Sequence, residues 1–325
     1  PPPPPPPPPP AADALLPTAL AIILAWVVPA LLYLLYSKPK KRRPIVGGNW
    51  KCNPDSVAKL KGLVDNINAC DTSACDVYVC PSNLHVGIVF ESFTNGAKTC
   101  PQNCNFKGCG AYTGEMAVDQ MASMGIEWCL IGHSERRGEF GLPTPAESNE
   151  LLATKLAYIL AKGLKCVLCI GEAFPLGLEP RSSARAADWP SGPLFGSLCG
   201  QPLPIREKGA AAVLAYCADQ LKPCIASLDP ARMVIAYEPV WAIGTGVSAS
   251  AAQAQETHKM LREWLASNVS PACAGAMRIQ YGGSANGKNA PELSACPDID
   301  GFLVGSASLK PEFADIVAAI AKAKA

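Results

Sequence analysis

This chain has almost no net charge: 28 basic and 27 acidic side chains leave +1 at pH 7. The run Lys38, Lys40, Lys41, Arg42 and Arg43 more than accounts for that excess, so the remainder is slightly acidic. A body of that sign offers no electrostatic footprint for a phosphate backbone, which argues against a nucleic-acid partner. Histidine is scarce as well, with three in 325 residues. No histidine pair and no second Cys-x-x-Cys accompany Cys166-Val167-Leu168-Cys169, and Cys100, Cys104 and Cys109 only approach a ligand spacing, so a zinc-finger pattern is missing. Cys166 and Cys169 stand three apart in a strand-like run and point to opposite faces, which makes them a poor redox pair. The fifteen cysteines read as reduced structural thiols of a cytosolic protein, sensitive to oxidants.

The N-terminus also lacks something. Residues 14–36 are apolar and uncharged, long enough to span a bilayer. Positive charge is missing ahead of that run, and no clear small-residue cleavage site comes after it, which argues against a cleavable secretory signal. Pro17 and Pro29 are tolerable in a membrane helix, and Tyr33 and Tyr36 sit near one end as interface anchors do. The expected organisation is a polyproline tail over 1–13, extended and solvated. A candidate transmembrane signal anchor covers 14–36, and a basic juxtamembrane linker, 37–43, holds the remainder of the chain in the cytosol. The same residues also fit unrelated sequence joined to a cytosolic domain.

After residue 44 a repeating pattern is present. Apolar β-type runs recur at Ile45–Trp50, Asp76–Cys80, Ala97–Asn103, Glu127–Ile131, Lys165–Ile170, Arg232–Tyr237, Met277–Tyr281 and Gly301–Val304. Helix-like stretches with three- and four-residue apolar spacing alternate with them, among them Glu147–Ala161, Lys208–Leu221, Ala251–Leu265 and Glu312–Ala323. Eight strand–helix repeats imply parallel pairing with right-handed crossovers. They predict an α/β fold, a closed (β/α)8 TIM barrel over 44–325. A Pro-, Gly-, Ser- and Ala-rich insertion at about 174–205 reads as a tolerated surface loop, and a smaller one covers Leu142 to Ala146.

Chemistry collects where strands end. Ala236-Tyr237-Glu238-Pro239-Val240-Trp241-Ala242-Ile243-Gly244-Thr245-Gly246 places a carboxylate at a strand's end, beside a stiff proline and a glycine-bearing loop that can close. That is how a general base is delivered to a substrate and then dried. Taken alone, a solvated strand-end Glu is the plainer reading. Three other segments change the balance. Gly47-Gly48-Asn49-Trp50-Lys51 ends in an amide and an ammonium. Ile131-Gly132-His133-Ser134-Glu135-Arg136-Arg137 places an imidazole where a strand stops. Tyr281-Gly282-Gly283-Ser284 offers the backbone amides of a phosphate cradle.

These four segments closely resemble the triosephosphate isomerase family. So do Gln102-Asn103-Cys104, Ala111-Tyr112-Thr113-Gly114-Glu115, Cys169-Ile170-Gly171-Glu172 and Asp300-Gly301-Phe302-Leu303-Val304-Gly305. The resemblance covers about 44–325 apart from the insertion. It implies interconversion of dihydroxyacetone phosphate and D-glyceraldehyde 3-phosphate through an enediolate, in glycolysis and gluconeogenesis, with no metal and no cofactor. Glu238 is then the base. His133 is a neutral imidazole that polarises the carbonyl, a role known for the family rather than read from spacing. Lys51 and Asn49 serve the oxyanion. Glu135 and Cys169 lie behind them. Gly244, Ser284, Gly305 and Ser306 hold the phosphate. Thr113, Glu115 and Arg136 belong to a homodimer interface, with Glu115 and Arg136 paired across it. Two departures from the family's pattern stand out. Ser306 replaces a usual glycine and costs about 1 kcal/mol if that position needs positive φ, and Val247 stands where many members carry lysine. A catalytically silent, membrane-tethered scaffold on the same barrel is the alternative function. A different phosphosugar isomerase is a third, because fold alone does not fix chemistry.

Overall fold

The computed structural model describes residues 1–5, 28, 41–137, 146–172, 209–240 and 249–325. The expected anchor 14–36 apart from Val28, the insertion 174–205, Leu142 to Pro145, Gly244 and Val247 all lie outside these. Among the described residues no helix is long and apolar enough to cross a membrane. The chain divides into two compact units, Pro1–Lys41 and Arg42–Ala325. The second carries the strand–helix repeats.

Eight strands form one sheet: β1 Ile45–Asn49, β2 Asp76–Cys80, β3 Lys98–Thr99, β4 Trp128–Ile131, β5 Lys165–Ile170, β6 Met233–Tyr237, β7 Arg278–Tyr281 and β8 Gly301–Val304. Their order is β3-β2-β1-β8-β7-β6-β5-β4, and every pairing is parallel. The result is a near-barrel of the TIM type, with β1 against β8 and with β3 and β4 at the seam. No strand ladder joins β3 to β4 among the described residues; Leu130 N–H donates to Pro101 O across the seam at 2.9 Å.

The expected strand Ala97–Asn103 shortens to Lys98–Thr99. Cys100 N–H still donates to Val79 O at 2.8 Å, but Pro101 has no donor and the ladder stops. Gln102 then points its carboxamide back, and Nε2 donates to Lys51 O (2.8 Å) and Cys80 O (2.9 Å).

Side-chain alternation builds two cores. On β5, Val167 and Cys169 face the barrel interior with Ile45, Tyr78, Leu130 and Val234. Cys166, Leu168 and Ile170 face the helices. Cys166 and Cys169 therefore stand on opposite sides of the sheet. Inside, the Tyr78 and Trp128 rings stack at 5.8 Å. Tyr78 Oη donates to Gln280 Oε1 (2.7 Å), and Gln280 Nε2 donates to Ile45 O and Phe302 O. Gly47 makes room for this layer, because a Cβ there would stand 2.1 Å from the Tyr78 ring.

Nine described helices pack outside: α1 Leu60–Asn68, α2 Val86–Val89, α3 Val118–Ser123, α4 Asn149–Ala161, α5 Ala210–Leu221, α6 Ala251–Asn268, α7 Pro271–Ala276, α8 Ala290–Ser294 and α9 Phe313–Lys324. Ser148 caps α4 by accepting from Leu151 N–H, and Ser250 with Gln253 forms a capping box on α6. Leu152, Leu156 and Ile159 of α4, at helical spacing, are buried.

Arg42 and Arg43, the last residues of the expected linker, belong to the barrel unit. Arg42 Nε pairs with Asp300 and Arg43 Nε with Asp76, each at 2.6 Å. Both sit at the N-terminal end of the strands, opposite the end that carries the site.

Candidate active site

Each strand-end segment arrives at the carboxyl side of the sheet, where TIM barrels build their sites. Asn49 closes β1 and is buried. Its Oδ1 accepts from Lys51 N–H at 3.0 Å. Lys51 is the one described non-glycine residue with positive φ, 51°. The Asn49 and Gln102 side chains hold its N–H and C=O in that conformation. An ordinary residue stays in the left-handed region only where its surroundings hold it there. Here the turn aims the ammonium at Glu135, with Nζ and Oε1 2.6 Å apart.

His133 follows β4 and is buried. Glu135 N–H donates to its Nδ1 at 3.2 Å. With Nδ1 as acceptor, the ring's proton lies on Nε2. Nε2 then donates to Glu238 Oε1 at 2.9 Å. Glu238 Oε2 accepts from Ser134 N–H, also at 2.9 Å. Both oxygens of Glu238 are therefore committed.

Glu238 leaves β6 2 % exposed. Its backbone fits only because two neighbours are glycines. A Cβ on Gly171 would stand 2.0 Å from Glu238 O, and one on Gly282 would stand 3.0 Å from its Cγ. Burial pushes the Glu238 pKa up. His133, the Ser134 amide and the Lys51 charge outweigh burial and leave it below the usual carboxylate value. Cys169, on the inner face of β5, has its thiol raised by burial and by the Glu238 charge.

Gly305 and Ser306 sit where β8 turns into a short 3-10 helix, Ser306–Leu309. Gly305 approaches Lys51: a Cβ there would be 3.9 Å from Lys51 Cε. Ser306 is helical with negative φ, so serine carries no backbone strain there. Ser284 lies past β7, and its carbonyl accepts from Asn289 Nδ2 at 2.8 Å. Gly244 is outside the described residues.

Thr113 and Glu115 are exposed on the 104–115 segment. Asn105 shapes the base of that segment, with its N–H donating to Met116 O and its Nδ2 to Gly108 O, both at 2.8 Å. Within the chain Arg136 pairs with Glu147 at 2.8 Å. Glu147 also binds the buried Lys155 at 3.0 Å.

Local pattern reading missed three contributors. One is the Ser134 amide. Another is Arg137, whose guanidinium donates to Gly132 O (2.6 Å), Cys169 O (2.9 Å) and Asn149 Oδ1 (2.9 Å), tying the exits of β4 and β5 to α4. The third is Gln220 on α5, which holds the backbone of Gly171. A polar residue on the buried face of α5 was the signal available for Gln220.

The family described as triosephosphate isomerase matches residues 44–182 and 198–320. The chain belongs to the triosephosphate isomerase family. It is 41 % identical over 278 residues to the protein named "Triosephosphate isomerase, cytosolic" from Oryza sativa subsp. japonica, covering 85 % of this chain and 96 % of the relative. It is 42 % identical over 276 residues to "Triosephosphate isomerase" from Coprinopsis cinerea, covering 84 % and 96 %.

Proposed function

We propose that this chain carries out its family's reaction, the interconversion of dihydroxyacetone phosphate and D-glyceraldehyde 3-phosphate in glycolysis, with Glu238 as the base. The observation that carries the reading is that three strand ends meet through short contacts: His133 Nε2 lies 2.9 Å from Glu238, and Lys51 pairs with Glu135, whose N–H donates to His133 Nδ1. Glu238 takes a proton from one carbon and returns it to the adjacent carbon. The Nε2–H of His133 polarises the carbonyl and passes protons between the two oxygens. Lys51, with Asn49, stabilises the oxyanion of the enediolate. Because both Glu238 oxygens are engaged, the side chain must rotate to reach substrate. The same rotation frees Nε2–H for the carbonyl.

The phosphate sits on the amides of Gly244, Ser284, Gly305 and Ser306. Loop 239–246 closes over it and keeps water from the enediolate. A coupled assay on the full chain with dihydroxyacetone phosphate tests the activity. Glu238→Asp withdraws the carboxylate by about 1 Å, a misplacement that can cost about a hundredfold. The expected result is a fall in kcat of that order with KM little changed. Turnover near the wild-type value removes Glu238 from the role.

The working unit is a homodimer in the cytosol. The 104–115 segment supplies Thr113, exposed in this chain, to the partner's site near Lys51, and Glu115 meets the partner's Arg136. A self-complementary C2 contact lets one patch do both jobs. No disulfide joins the described cysteines to one another, which suits a reducing compartment. Membrane attachment through 14–36 rests on the length of that apolar run. Its test is retention of the full chain in the membrane pellet after an alkaline carbonate wash. The silent-scaffold alternative is disfavoured because Asn49, Lys51, His133 and Glu238 are all present.

A further inference from the structure

We infer that Gln220 is a positioning residue for Glu238, acting through the backbone of Gly171; this rests on the reading of Glu238 as the base. The last registered pair of the β5–β6 ladder is Ile170 with Tyr237. Glu238 N–H adds one more bond, to Ile170 O at 2.7 Å. Gly171 turns its N–H and C=O the other way, toward β4, as Lys165 does when its N–H donates to Glu127 O, and β4 ends at Ile131, so no strand residue meets them.

Gln220 takes over at that point. It lies on the inner face of α5 and is 5 % exposed. Its Oε1 accepts from Gly171 N–H at 2.9 Å, and its Nε2 donates to Gly171 O at 2.8 Å. A carboxamide carries the same donor and acceptor as a peptide group, so Gln220 stands in for the missing strand residue. Without it, the N–H and the C=O of buried Gly171 both lose their partner.

Gly171 in turn lies against the main chain of the base. An added Cβ would be 2.0 Å from Glu238 O and 3.2 Å from Glu238 Cβ. At this distance a shift of the Gly171 peptide moves Glu238 with it. Arg137 holds the preceding peptide at Cys169 O, leaving Gln220 as the control on the last one.

The test is a double-mutant cycle on the full chain, with kcat, KM and thermal melting measured for each protein. Gln220→Met keeps length and removes both hydrogen bonds. It is expected to lower kcat about tenfold with KM within about twofold. In the Glu238→Asp background, where the base is already misplaced, the same change is expected to lower kcat by less than about threefold. An equal loss in both backgrounds, a loss confined to KM, or no loss overturns the proposal. Wild-type turnover in Glu238→Asp alone overturns the base reading and is a separate outcome of the cycle.

Should Gln220→Met fail to fold, Gln220→Glu answers the same question. The carboxylate accepts from Gly171 N–H but cannot donate to Gly171 O until it is protonated. Its activity relative to wild type is expected to recover as the pH falls from about 8 to about 6. A loss that does not change with pH overturns the proposal.

Discussion

Replacing Arg42 by Met tests whether the barrel begins at the basic run. Arg42 Nε donates to Asp300 Oδ1 at 2.6 Å, and its two terminal nitrogens donate to Gly275 O and Pro297 O at 3.2 Å. The pair is well covered, with side-chain exposures of 18 % and 3 %. Removing one partner of a buried pair costs about 3–5 kcal/mol when the other charge is left alone. Asp300 is not left alone, because its Oδ2 still accepts from Arg262 Nη2 and Ile279 N–H, each at 2.8 Å. The loss is therefore that of a charge-assisted hydrogen bond, about 1.5–3 kcal/mol. At about 2–4 °C per kcal/mol for a large domain, Tm falls by about 3–12 °C. Thermal melting of the full chain by circular dichroism measures it. Lys59→Met is the control, since its pair with Asp55 is 63 % and 74 % exposed and surface pairs of this kind contribute little. If Arg42→Met melts within about 1 °C of wild type, the clamp reasoning fails and Arg42 reverts to a surface charge.

Three further outcomes are expected. Glu238 titrates in the folded chain below its ordinary value of 4.5, so its ionisation adds stability above that value and loses it as pH falls through the lower one. The stability advantage of wild type over Glu238→Gln should shrink on going from about pH 7 to about pH 3.5 in urea unfolding, and a gap that widens refutes the assignment. Ser306→Gly should leave KM within about twofold, because Ser306 already sits at negative φ and glycine relieves nothing; a clear tightening of substrate binding would show that the serine is strained in the working enzyme. Thr113→Arg or Glu115→Arg should give an inactive monomer by light scattering and assay, and full activity in a monomer contradicts the shared-site arrangement.

Much of the fold was legible because parallel strands buried on both faces read as apolar runs. Asp76–Cys80, Lys165–Ile170 and Gly301–Val304 match the expected limits to the residue. β3 was overextended because Pro101 and the inward turn of Gln102 end a ladder that hydrophobicity alone would continue. Glu238, His133 and Lys51 could be found because each stands at the end of an apolar run in a distinctive local phrase. Ser134 escaped because it acts through its amide, which any residue could supply. Gln220 escaped because its partner is 49 positions away, beyond the reach of local periodicity. The clamp made by Arg42 was hidden for a different reason. Two arginines at the end of a basic run look the same whether they face lipid headgroups or Asp300 and Asp76.

A ring of strands joined at one place by a Leu130–Pro101 hydrogen bond instead of a ladder should come apart there before anywhere else. Thiols stand on both sides of that line. Cys80 and Cys100 touch on the inner face, and Cys104 and Cys129 touch on the outer one. Burial holds the Cys100 thiol in its unreactive protonated form, and Cys104 together with burial does the same for Cys129. The intact seam thus keeps Cys100 and Cys129 silent, and each parting of it exposes thiols from both layers at once. The chain carries its own recording of how often the barrel breathes, written in the order in which these four cysteines become available to an alkylating reagent.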